Sequence, residues 1–164
     1  MGDKTLDQVP KPTPPDSPRF ADFYRAQYPG VVRLAHALTG SPETAEDVVQ
    51  DAFSRLLGRI DELESPGGYL RTTVVNLCRD RQRRLRRDRR SGSLSRAPVP
   101  LSLGASEMID VLLALPYRQR AVLVLRYWGD FSESDIAEAL GCRPGTVKTL
   151  ASRALARLKK EIDP

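Results

Sequence analysis

Arginine is the residue type whose spacing first suggests chemistry: RDRQRRLRRDRR occupies residues 79–90. Guanidinium groups present planar forks of donors that match phosphates and base edges, so the chemistry is recognition of a polyanion rather than bond making. A run of like charges is ordinarily a solvated arm. Here the run continues, without Pro or Gly, from RTTVVNLC at residues 71–78, which has the pattern of a half-buried helix. On a helical wheel Leu70, Val74, Leu77 and Cys78 form the core face, with Leu85 farther along. Thr72, Asn76, Arg79, Arg83, Arg87 and Arg90 fall on the opposite side. On that side an amide and a hydroxyl can read bases while arginines grip phosphates. Asp80 lies beside Asn76 and Arg83 and is expected to orient one of them. Arg81 and Arg84 fall near the apolar side, so the helix leaves its core there.

A second constellation is SESDIAEALGCRPGTVKTLASRALARL, residues 132–158. Ala137 is small where two helices must cross closely, Gly141 falls where a turn needs positive φ, and Val147 returns an apolar anchor. Ser132 followed by Asp135 is a capping-box pair. These are the marks of a helix-turn-helix. Its second helix is expected to point Val147, Leu150, Ala151, Ala154, Leu155, Leu158 and Ile162 inward. Lys148, Thr149, Ser152, Arg153, Arg157 and Lys160 then lie outside, where hydroxyls and Arg can meet base edges and Lys148, Arg157 and Lys160 suit phosphates. A helical hairpin with a solvated basic face is the plainer account, and the Ala-Gly-Val spacing argues against it.

The third is acidic. Ser41-Pro42-Glu43 opens a helix with an N-cap, a proline at the first position and a carboxylate at the positive end of the dipole. Its body AEDVVQDAFSRLL puts Ala45, Val48, Val49, Ala52, Phe53, Leu56 and Leu57 on one side and Glu46, Asp47, Gln50, Asp51 and Ser54 on the rest. An acidic strip suits a basic partner helix. Solubilising a surface helix is the competing account.

Nothing in the sequence assembles a catalytic set. Glu46 and Asp47 are adjacent and face different directions, and His36 sits beside Arg33 with no candidate partner, as a surface or boundary residue. Cys78 and Cys142 are far apart, so neither a metal site nor a disulfide framework is expected. No cofactor, no metal and no enzymatic activity are expected.

These faces must be carried by helices. The chain has 164 residues, 13 of them Pro, with 26 Lys+Arg against 21 Asp+Glu for a formal charge of +5. Such a balance favours a polyanionic partner. Residues 1–18 are too polar and Pro-rich to order themselves and read as a disordered tail. From Arg19 apolar residues recur at helical spacing, broken at Pro29-Gly30, which predicts two helical pieces around a kink. DELESPGG at residues 61–68 reads as a loop, with Tyr69 starting the long helix. Residues 91–106 are rich in Ser, Pro and Gly and read as a flexible linker. EMIDVLLAL and PYRQRAVLVLRYW then precede the helix-turn-helix. No stretch alternates like a strand. The expectation is an all-α chain of two small helical domains, residues 19–90 and 107–162. With no signal peptide and no apolar run longer than AVLVL, a soluble, cytoplasmic protein without membrane insertion is expected.

In order and separation the three constellations resemble the extracytoplasmic-function sigma factors, RNA polymerase specificity subunits of the sigma-70 superfamily, and among them the actinobacterial sigma-E-like group. AEDVVQDAFSRLL at 45–57 resembles the family's polymerase-binding helix. YLRTTVVNLCRDRQRR at 69–84 resembles its helix for the −10 promoter element. Residues 115–158, LPYRQRAVLVLRYWGDFSESDIAEALGCRPGTVKTLASRALARL, resemble its −35 domain.

The resemblance implies a sigma factor that binds core RNA polymerase, at the β′ clamp helices and β flap, and directs it to promoter DNA. Asp47, Gln50, Asp51 and Ser54 would meet the clamp helices. Ser65, Pro66, Gly67 and Gly68 belong to the stretch resembling the family's specificity loop, which accepts a flipped base, and Gly67 and Gly68 permit close backbone approach. With Thr72, Asn76, Arg79, Asp80, Arg83 and Arg87 they would form the −10 surface. Arg143, Gly145, Thr146, Lys148, Thr149, Ser152, Arg153 and Arg157 would form the −35 surface. An anti-sigma partner is a family-level expectation, and no further regulatory domain is expected after Pro164. TVKTLASRAL departs from the Ser-Arg-Leu that follows the Lys in many relatives, so base preferences do not transfer; Tyr69 stands where many have Trp. A stand-alone helix-turn-helix regulator explains the second half equally well, but not the acidic helix, loop and Asn/Arg-faced helix in that order.

Overall fold

The computed structural model describes residues 17–92 and 107–163, and every regular element among them is an α-helix. These are α1 (Pro18–Thr39), α2 (Pro42–Leu57), α3 (Pro66–Arg90), α4 (Glu107–Leu113), α5 (Tyr117–Tyr127), α6 (Glu133–Leu140) and α7 (Pro144–Ile162). The expected tail lies outside the described residues up to residue 16, and the expected linker does so from 93 to 106.

Local chemistry sets the helix starts. Ser17-Pro18, Ser41-Pro42 and Ser65-Pro66 each place Ser at the N-cap and Pro at the first helical position, where the missing N–H costs nothing. Ser41 Oγ accepts from Thr44 N at 3.2 Å and Ser65 Oγ from Gly68 N at 3.3 Å. The long helix therefore begins at Pro66, not Tyr69, and Gly67 and Gly68 lie in its first turn rather than in a loop. A Cβ on Gly68 would stand 2.9 Å from Ser65 Oγ, so a side chain there would require the capping hydroxyl to shift.

The expected kink at Pro29-Gly30 is also corrected: α1 runs unbroken through Pro29. Both residues are exposed, so the Arg25 carbonyl that loses its helical donor lies on the side open to water. Buried Val31, Leu34 and Leu38 on one side, and the Phe20–Tyr24–Phe53 aromatic cluster on the other, hold the two segments to the same neighbours.

α1, α2 and α3 form one helical unit, with Leu38, Val48, Val49, Leu56, Leu70 and Val74 all but inaccessible. α5, α6 and α7 form the second around Val122, Leu125, Ile136 and Val147, with α4 against α5 and α7. Ala137 is buried at the α6–α7 crossing, Gly141 has φ 62°, and Ser132 and Asp135 complete the capping box. Three side chains expected inside are exposed: Leu85, Leu155 and Ile162. α7 meets its neighbours through Val147, Leu150, Ala151, Ala154 and Leu158, which leaves Leu155 outside the contact. Leu85 and Ile162 stand where α3 and α7 run beyond their packing partners.

The two units touch. α1 packs on α4 and α5, and α3 meets α6.

Candidate nucleic-acid interface

The acidic face of α2 is set by its buried side, which holds Val48, Val49, Ala52, Phe53 and Leu56 in the core. Glu46, Asp47, Gln50 and Ser54 are exposed and Asp51 is half-exposed. Gln50 Nε2 donates to Tyr24 Oη at 3.1 Å, and Ser54 Oγ donates to the Gln50 carbonyl at 2.8 Å. Arg55 Nε and Nη2 each reach an Asp51 oxygen at 3.3 Å, so part of the strip's charge is balanced within the helix. Sequence reasoning passed over Arg55, although an Asp four residues before an Arg on a helix is itself a pairing signal.

On α3, Leu70, Val74, Val75, Leu77 and Cys78 are buried, Val75 in addition to those expected. Thr72 and Asn76 are exposed, as are Arg83, Arg87 and Arg90. Ser65 is exposed, and Pro66, Gly67 and Gly68 are half-exposed at the end of the helix from which this face starts. Asp80 lies among Arg83, Arg84 and Arg87 but makes no hydrogen bond or ion pair to Asn76 or Arg83, so the expected orienting role is not seen. Arg79 behaves differently from its neighbours. It is half-buried and its Nη1 donates to the Ala139 carbonyl of α6 at 2.7 Å.

On α7, Arg143 is the N-cap, Gly145, Lys148, Thr149, Ser152, Arg153 and Arg157 are exposed, and Thr146 is half-buried. Thr149 Oγ1 donates to the Gly145 carbonyl at 3.1 Å. Lys148 Nζ lies 3.9 Å from Glu133, whose other oxygen accepts from Arg126 at 3.2 Å. Arg153 and Arg157 pair with no carboxylate among the described residues.

The described residues hold no cluster of His, Cys, Asp or Glu able to bind a metal ion, and none of their helices is long and apolar enough to cross a membrane. His36 is half-buried; burial lowers its pKa, opposed by Asp110. Cys78 is 1% exposed, and burial pushes its thiol up to about 12, against a smaller opposing pull from Arg81. Cys142 is half-exposed. A thiol reagent at pH 8 is expected to modify Cys142 and leave Cys78 untouched until denaturant is added, because the reacting species is the accessible thiolate. Mass spectrometry after brief labelling reads this directly; equal labelling of both would contradict the buried position of Cys78.

The buried charged residue that sequence reasoning missed altogether is Arg120 on α5, 8% exposed. Its Nη1 donates to the Leu115 carbonyl at 3.1 Å, its Nη2 to the Leu38 carbonyl of α1 at 3.0 Å, and it lies over the Tyr117 ring at 5.5 Å. The available signal was an Arg directly before the apolar run 121–125, three residues after a Tyr.

Two regions of a known family match the chain. Sigma-70 region 2 matches residues 23–88, which hold α2 and all but the end of α3, and Sigma-70 region 4 matches residues 105–158, which hold α4 to α6 and most of α7. The RNA polymerase sigma-E factor of Streptomyces coelicolor is 34% identical over 155 residues, covering 87% of this chain and 85% of that protein. An ECF RNA polymerase sigma factor of Rhodopseudomonas palustris is 32% identical over 148 residues, covering 84% and 81%. Among solved structures, a sigma factor from Bartonella quintana, crystallised in complex with an anti-sigma factor, superposes with a TM-score of 0.67 at 26% identity, covering 89% of this chain and 99% of that one. With both regions matched in order and relatives similar over most of their length, the chain belongs to the extracytoplasmic-function group of the sigma-70 family of RNA polymerase sigma factors.

Proposed function

We propose that the three exposed faces divide the work of a promoter-specificity subunit among three helices. α2, through Asp47, Gln50, Asp51 and Ser54, docks on a basic helical surface of core RNA polymerase. α3 and the turn that starts it, from Ser65 to Gly68 with Thr72, Asn76, Arg79, Asp80, Arg83 and Arg87, engage the −10 element as it opens. α7 lies in the major groove of the −35 element, with Thr149, Ser152 and Arg153 toward base edges and Lys148 and Arg157 on phosphates. Arg143, Gly145 and Thr146 hold the end of the helix that enters the groove, where backbone N–H groups favour a phosphate.

The observation that carries this reading is the separation of charge by helix in a chain of net charge +5: an exposed acidic face on α2, and exposed Arg and hydroxyl faces on α3 and α7. Polymerase and promoter call for opposite signs, and acidic side chains outnumber basic ones on α2 while basic ones outnumber acidic on α3 and α7. A stand-alone regulator leaves the α2 face without a task. RNA synthesis is the polymerase's chemistry, and the chain contributes binding and placement in the cytoplasm. The Bartonella relative was crystallised with an anti-sigma factor, and a partner of that class is proposed here too.

Arg153→Ala tests the α7 assignment. It is expected to weaken initiation at promoters bearing the cognate −35 element by about 1–3 kcal/mol, the worth of one good base contact. Competition between promoters differing only in that element reads the loss. An unaltered preference would remove Arg153 from the base-reading set.

A further inference from the structure

Where α3 passes the second helical unit, cations meet cations. A cavity of about 220 Å³ lies between Arg79, Gln82, Arg83 and Arg86 of α3 and Tyr117 and Arg118 of α5, with the end of α6 completing its wall. No described carboxylate lines it. Arg79 and Arg83 stand at i,i+4 on α3, and Arg83 and Arg86 at i,i+3, spacings at which like charges repel. Arg118 brings a further guanidinium from the facing side. None of these arginines forms an ion pair with a carboxylate among the described residues. Walls of one sign repel when the space between them is bare and are drawn together by an anion placed there.

Arg79 adds an independent sign. Its Nη1 is taken by the Ala139 carbonyl at 2.7 Å, but its Nε is buried with no hydrogen-bond partner among the described residues. A buried N–H without an acceptor is uncommon in folded proteins, and here it belongs to a side chain in the cavity wall. Guanidinium forks match pairs of phosphate oxygens, and the amide of Gln82 supplies a neutral donor beside them. Size narrows the class of ligand. Pockets for drug-sized molecules run to about 300–1,000 Å³, so this smaller cavity suits a compact anion rather than a nucleic-acid strand.

We propose that the cavity is a binding site for a compact polyphosphate, inorganic pyrophosphate or the phosphate chain of a nucleotide, held between α3 and α5. The site goes beyond the promoter reading and stands without it, since Gln82, Arg86, Tyr117 and Arg118 belong to none of the three faces assigned above.

Isothermal titration calorimetry of the full chain with inorganic pyrophosphate, in about 0.15 M salt to screen loose association, tests the site. Saturable binding of one pyrophosphate per chain is expected. Arg118→Ala and, separately, Arg86→Ala are expected to weaken it roughly tenfold or more, the worth of one charge-assisted bond. Both side chains are exposed, so circular dichroism should be unchanged. Arg89→Ala removes the same charge from α3 outside the cavity and is expected to change the affinity by less than about twofold. A nucleoside triphosphate is expected to displace pyrophosphate. Binding of the nucleotide by a chain that does not take up pyrophosphate would mean that the base is the group recognised, and would overturn the assignment. Titrations that never saturate, or an equal loss in Arg89→Ala and Arg118→Ala, would reduce the cavity to diffuse attraction by a basic helix and overturn it as well.

Discussion

Asp51→Arg is expected to lower the affinity for core RNA polymerase roughly 100-fold or more, the range seen when a charge at the centre of a complementary interface is reversed. Asp51 is half-exposed and lies outside the core formed by its neighbours Ala52 and Phe53, so the helix should survive the change. What changes is the field of the strip. The carboxylate that Arg55 now holds at 3.3 Å is replaced by a second guanidinium, which repels Arg55 and any basic partner helix together. Circular dichroism should be unchanged while co-purification with core polymerase is lost. Retained affinity in a folded variant would take α2 out of the interface.

The second large effect is on stability and concerns Arg120. Arg120→Ala removes two charge-assisted hydrogen bonds, to Leu115 O and Leu38 O, and the cation above Tyr117. The loss is expected to be about 3–4 kcal/mol, with a lower urea midpoint, since bonds from a charged donor are worth about 1.5–3 kcal/mol each and the abandoned carbonyls are poorly hydrated. Arg120→Lys should recover only part, because an ammonium cannot span both carbonyls. Burial lowers the Arg120 pKa from a value so high that the group stays charged at any ordinary pH. Its contribution should therefore not vary between about pH 5 and 9. A midpoint unchanged in Arg120→Ala would mean that the bond joining α5 to the end of α1 contributes nothing.

Helical periodicity and punctuation made most of the fold legible. Ser-Pro pairs, the capping box at Ser132 and Asp135, and Gly141 are local signals whose physics is complete within a few residues, and the helices begin and turn where these stand. Errors arose where tertiary packing overrides a local signal. Pro29 and Gly30 read as a break, yet packing on both sides keeps α1 continuous. Leu155 and Ile162 read as core on a wheel, but a wheel cannot say how wide the partner surface is. Ser65-Pro66 carried the same start signal as Ser41-Pro42, and the two glycines after it outweighed that signal in the sequence reading. The candidate faces were legible as far as one helix at a time allows. What no single helix discloses is the pairing of Arg79 with Ala139 and of Arg120 with Leu38, separated by 60 and 82 residues.

The central claim is that this chain confers promoter specificity on core polymerase. Run-off transcription of a genomic promoter library by purified core polymerase, with and without the protein, tests it most directly. Start sites that appear only with the protein are expected, sharing two sequence elements at a constant separation and weakened by change in either. No promoter-specific initiation, together with binding of the protein alone to palindromic duplex, would contradict the account.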